Sequence, residues 1–208
     1  MEYNIKNEIL TNQNEILLRV DIESIDVYRF LRDEYKKGSI NSNNVFQFVF
    51  RSYYRLDNAG LGDALKKKYF ELLANRQDNL KKILLELYRI PTLRNFNAVQ
   101  FSFATKLLHT IDTNNPIFDS EVSEVIHKRV TGKNMEEKIE SCLKIYDSLK
   151  STYMMLLQDK EIKNLILKFR EKFRVDENDM PDMKVLDSIV WSLGKLMKKK
   201  VNGSGGIK

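Results

Sequence analysis

Asp119 and Ser120 stand just ahead of Val122, Val125 and Ile126. Apolar residues at that spacing predict a helix, and an aspartate in front of them predicts its N-cap. As a bare sequence feature, then, Asp119 is a capping residue with a carboxylate to offer. Few other side chains have types and spacings that could do chemistry. Cys142 is the single cysteine and there are two histidines, too few for a zinc site built by the protein. Neither a phosphate-binding glycine loop nor a Gly-x-Ser-x-Gly elbow occurs, so nucleotide hydrolysis and serine chemistry have no support. His109 lies between apolar positions and reads either as a buried, hydrogen-bonded histidine or as a cleft residue. His127 sits in a polar patch with Lys128 and Arg129.

The elements that must carry these residues follow from apolar periodicity. Phe101, Ala104, Leu107, Leu108 and Ile111 predict one buried helical face, and Asp112–Pro116 a tight turn after it. Residues 1–20 are open between a short strand and a helix. Ile22, Ile25, Tyr28, Leu31 and Tyr35 predict a helix stopping at Gly38. Val45, Phe46, Val49, Phe50, Tyr53 and Leu56, with Phe48 beside them, predict a nearly buried one. Two more follow, through Leu65–Leu73 and through Leu80–Tyr88, the second stopped at Pro91. After Gly132, Met135, Ile139, Cys142, Tyr146, Leu149, Tyr153 and Leu156 alternate steps of four and three. So short a seam points to packing within the domain rather than to a coiled coil. Ile162–Phe173 and Leu186–Met197 complete the set, the last running into Lys198-Lys199-Lys200. The expectation is an all-α fold of eight to ten helices, residues 1–200 forming one domain of two closely packed lobes and 201–208 a flexible tail.

Composition agrees with helices. Only 8 glycines and 3 prolines occur, three of the glycines in the tail. The net charge of +6 is uneven, because from Lys160 onward 12 lysines and arginines stand against 7 acids. That surplus suits either an acidic partner surface or plain solubility. A lone cysteine and an N-terminus without a signal-peptide pattern predict a reducing, cytoplasmic home. No apolar run reaches the ~20 residues that span a bilayer, so no membrane association is expected.

The stretch from Phe96 to Val130 resembles the core of the helix-hairpin-helix superfamily of base-excision DNA glycosylases. Phe96-Asn97-Ala98-Val99-Gln100 stands where that family has its glycine-rich hairpin, Ala104 at the family alanine, and Pro116-Ile117-Phe118-Asp119-Ser120-Glu121-Val122 at the segment bearing the catalytic aspartate. The resemblance covers about 35 residues. It implies a two-lobed helical bundle and a repair hydrolase that binds duplex DNA without cofactor or nucleotide, with Asp119 as the catalytic carboxylate. Ala98 and Gln100 replace the hairpin glycines that let backbone amides approach a phosphate. Expected DNA contacts are Asn97, Gln100, Lys128, Arg129, Lys198, Lys199 and Lys200. Ser102 falls where strand-nicking relatives carry a lysine, which implies a monofunctional enzyme. Lys106, one turn further on, reads as a surface lysine or a substitute amine; with Ser102 and His109 it makes up the expected cleft. Tyr53, Tyr54 and Trp191 read as base-stacking platforms or as core. The alternative is a catalytically inactive helical module that binds DNA or a protein partner. Two further segments, Phe50-Arg-Ser-Tyr-Tyr-Arg-Leu and Leu186-Asp-Ser-Ile-Val-Trp, resemble pieces of uncharacterised bacterial proteins.

Overall fold

The computed structural model describes residues 4–57 and 60–203, with 200–203 by backbone alone. Among the described residues there are eleven helices and no strand: α1 (Ile5–Thr11), α2 (Gln13–Arg19), α3 (Ile22–Lys37), α4 (Asn44–Tyr53), α5 (Asp63–Ala74), α6 (Leu80–Tyr88), α7 (Phe101–Ile111), α8 (Ser120–Ile126), α9 (Met135–Gln158), α10 (Lys160–Phe173) and α11 (Asp182–Gly203). The count exceeds the expected eight to ten because residues 1–20, ambiguous by pattern, form α1 and α2. Asn4 and Asn12 punctuate them, and Asn4 accepts from the Asn7 amide to cap α1. The last helix continues to Gly203, three residues into the expected tail, and 204–208 lie outside the described residues. None of the helices is long and apolar enough to cross a membrane.

The chain divides into two compact units. One comprises Met1–Ile22, Pro116–Arg129 and Ile145–Lys208; the other Glu23–Asn115 and Val130–Lys144. In the first unit α11 is the hub, with α8 packed most extensively against it and α1, α2 and α10 also in contact. Ile162, Leu165, Ile166, Phe169 and Phe173 of α10 are buried, as are Leu186, Ile189, Val190 and Leu193 of α11. In the second unit α5, α6 and α7 pack on one another. Phe46, Phe50, Tyr54, Tyr69 and Phe70 make its aromatic core, with ring centroids 4.7–6.3 Å apart.

The expectation that α4 is nearly buried is corrected. Val45 and Phe48 are 63% and 62% exposed, because Phe46 and Phe50 already fill the inward stripe and the neighbouring positions point away from it. Along α9 the spacing of four and three buries Ile139, Cys142, Tyr146, Leu149, Tyr153 and Leu156 within the chain, so the seam is a core seam. Burial pushes the Cys142 thiol up to about 12, which leaves no thiolate for nucleophilic work.

Candidate functional site

α7 ends at Asp112 and the chain turns through Asn114 and Asn115. Pro116, Ile117 and Phe118 are buried, without regular secondary structure, before α8 begins. Asp119 is the N-cap, with φ −141° and ψ −169°, and its Oδ1 accepts from the Glu121 and Val122 amides, both at 3.0 Å. Two helix amides therefore fix one oxygen of a half-buried carboxylate. At the other end of α8, His127 takes a left-handed conformation (φ 51°), ending the helix before the basic patch.

A second carboxylate stands in the same unit. Asp187, on α11, is buried; its Oδ1 accepts from the Ile117 amide at 3.2 Å and its Oδ2 from Lys184 Nζ at 3.3 Å. Burial pushes its carboxyl up to about 6, partly offset by Lys184 and reinforced by the charge of Asp119. The Tyr153 hydroxyl, from α9, is fully buried with no hydrogen-bond partner. Burial raises it well above its ordinary value, and the charges of Asp187 and Asp119 add to the rise. Two carboxylates, an ammonium and a phenol thus lie within electrostatic reach of one another around the chain leading into α8.

Asp187, Lys184 and Tyr153 were not singled out as site residues by sequence reasoning. Their spacing fits helical faces, and a lone polar residue on an otherwise apolar face carries no periodic signal. The one pointer was the segment Leu186–Trp191, which contains Asp187.

Beside this cluster, Lys198 Nζ donates to Glu121 Oε1 at 3.2 Å. Glu121 is held below its usual value because hydrogen bonds from Ser120 and Lys198 outweigh the opposing effect of its burial. Lys128 Nζ donates to Ser148 Oγ at 2.5 Å, and Arg129 pairs with Glu124 at 3.1 Å. Lys199 is exposed, and the side chain of Lys200 lies outside the described residues. Trp191 is half-buried beneath the Lys195 ammonium, 3.7 Å from its ring centre.

Ser102, Lys106, His109, Asn97 and Gln100 belong to the other unit. His109 is the buried, satisfied histidine of the two readings. Its Nδ1 donates to the Asn115 carbonyl at 2.7 Å, which leaves Nε2 to accept from the Tyr28 hydroxyl at 3.1 Å. Lys106 Nζ donates to the Tyr54 carbonyl at 3.2 Å and lies 5.1 Å from the centre of the Phe103 ring. Ser102 is half-buried, its carbonyl accepting from Thr105 Oγ1. Asn97 is exposed and Gln100 buried at the start of α7, without a side-chain capping bond. Residues 89–100 join α6 to α7, and Thr92 to Phe96 closes a turn within them. Tyr54 is core, its ring tilted against Phe50 at 4.7 Å, with Tyr53 edge-on to it at 4.8 Å. Among the described residues no cluster of His, Cys, Asp and Glu is arranged to hold a metal ion.

Comparison with protein-family models, with curated proteins and with solved structures finds no match for this chain.

Proposed function

We propose that this is a DNA N-glycosylase-like protein acting on damaged or modified duplex DNA, with Asp119 as its catalytic carboxylate. One observation supports the reading most: Asp119 is part-exposed and its Oδ1 accepts from two backbone amides, so its position is set before any substrate arrives. Breaking an N-glycosidic bond builds positive charge on the sugar, and a fixed carboxylate beside it lowers the barrier. Preorganisation matters because a carboxylate that had to reorient would lose part of that gain. The base must leave the stack to be reached. The basic surplus of the C-terminal portion would hold the DNA backbone, in a salt-dependent way. Ser102 at the position of the lyase lysine makes the reaction monofunctional, ending at an abasic site.

The test is release of free base from a panel of lesion-bearing duplexes, with alkali to reveal abasic sites. Asp119→Asn keeps the size and much of the cap while removing the charge. It should lose at least ~10²-fold in rate, as removal of a key electrostatic group does, with under ~1 kcal/mol of stability lost. Loss of stability with unchanged base release would make Asp119 a helix cap and nothing more.

A second reading, a catalytically inactive interaction module, is favoured by Val45 and Phe48, exposed three residues apart on one face of α4. Under it, no lesion on the panel is processed, and substitution at Phe48 rather than at Asp119 abolishes partner binding.

A further inference from the structure

We infer that Asp187 is the positioning residue of Asp119: it fastens the chain at Ile117 so that the carboxylate two residues on is presented in one fixed orientation. Its importance for turnover rests on the function proposed above; the positioning itself does not.

The argument is geometric. The chain reaches α8 through Pro116-Ile117-Phe118, a buried segment whose backbone has no helix of its own to hold it. A buried amide in such a segment needs an acceptor. Asp187 supplies it across 70 positions of sequence, from a helix whose close contact with α8 continues at Gly194 against Glu121 and at Lys198 with Glu121. The carboxylate is itself held: Lys184, one turn earlier on α11, donates to its other oxygen, and both side chains are less than a tenth exposed. Each Asp187 oxygen thus has a defined donor, and the bond to Ile117 cannot wander. Asp119 inherits that constraint through the single intervening residue, the buried Phe118.

An ion pair in this place is otherwise hard to account for. Removing two charges from water costs more than their attraction returns unless the geometry is used, and apolar pairs of like volume are often as stable. A carboxylate here does what a leucine cannot: it accepts from the Ile117 amide. Packing alone would not choose it.

The test separates positioning from charge and from fold. In full-length protein, K184M/D187L replaces the buried pair with apolar side chains and removes the acceptor. K184M/D187N removes the same charges and keeps an acceptor for Ile117. The Glu121 and Val122 amides report the Asp119 cap directly in nitrogen-resolved NMR spectra, with no substrate needed. In K184M/D187L both should shift and lose at least ~10-fold in exchange protection, as a cap that opens locally does. On whichever lesion duplex the wild type processes, kcat should fall ~10- to 10²-fold with KM within about twofold, the cost of a misplaced group. K184M/D187N should rescue both the cap resonances and most of kcat. Should the apolar pair not fold, Asp187→Glu displaces the acceptor by a methylene and serves the same comparison. Cap resonances unchanged in K184M/D187L, or in Asp187→Glu in its place, overturn the inference. If kcat is retained in a variant whose cap has opened, the positioning stands and Asp119 is not the catalytic carboxylate. If the wild type releases no base while the cap resonances respond as expected, the proposed function fails and the positioning stands.

Discussion

Gly194 of α11 lies directly against the Glu121 carbonyl of α8, so close that a Cβ at 194 would overlap the carbonyl oxygen and approach the Glu121 Cα at 2.9 Å. α8 and α11 can meet at this distance only because position 194 has no side chain. The contact sits one turn from the Lys198–Glu121 ion pair, so the two helices are joined by a close backbone approach and a charge pair side by side.

Gly194→Ala should therefore destabilise, although alanine is the better helix former. Helix propensity favours Ala by about 1 kcal/mol. Overlap with backbone, which no rotamer change relieves, costs about 1–3 kcal/mol. The expected net is a lower urea midpoint at unchanged slope. A variant more stable than wild type would show that α8 does not approach α11 here.

His109 predicts a second stability effect. With Nδ1–H committed to the Asn115 carbonyl, Nε2 must accept, and the Tyr28 hydroxyl is its donor. Tyr28→Phe removes that donor from a buried ring nitrogen, at a cost of about 1–3 kcal/mol. Urea denaturation measures the loss. A cost near zero would mean that His109 is not held in this tautomer.

Asp187 gives the chain a pH signature opposite to that of several other ion-paired acids. Its folded value, pushed up to about 6 by burial, lies above the ordinary carboxylate value of 3.8. Between those two pH values the folded state holds more protons than the unfolded state, so stability contributed by Asp187 is largest at low pH and declines as pH rises. The decline is on the order of 3 kcal/mol, at ~1.4 per pK unit. Glu34, Asp57, Glu86 and Asp159, held low mainly by their hydrogen-bonded lysine partners, act the other way and lose stability as pH falls. Comparing wild type with Asp187→Asn from pH 4 to pH 7 isolates the one group: the variant should gain relative to wild type as pH rises. A constant difference across that range would mean Asp187 titrates normally.

Duplex binding, under the proposed function, should weaken with salt by a slope near 0.9 per phosphate contact. Because Lys198 already pairs with Glu121, reversing Lys199 should flatten the slope with little change in stability, while reversing Lys198 should also loosen α8 on α11. A slope that ignores both substitutions would move the DNA surface elsewhere on the protein.

Lys106 should give no adduct on borohydride trapping during base release. Its ammonium is held by the Tyr54 carbonyl over the Phe103 ring, and forming an imine would require giving up that bond and a proton. A trapped species lost in Lys106→Gln would overturn the monofunctional reading.

The sequence alone determined the secondary structure along most of this chain. Periods near 3.6 and the scarcity of Gly and Pro are local signals, and helix formation is largely a local event. The cap at Asp119 was equally legible, because an aspartate ahead of Val122 and Val125 needs only the amides two and three residues further on. The pattern missed the exposure of Phe48, since period tells which residues share a face and not which face finds a neighbour. Tertiary structure alone decided the rest. The Asp187 bond to Ile117 spans 70 positions, the Tyr28 bond to His109 spans 81, and the Gly194 contact joins helices far apart in the chain. Each is a pairing of single polar groups or bare backbone at long range, which leaves no periodic trace in the residues between. A buried aspartate on an apolar face reads as an exception until the chain folds and brings it the amide it serves.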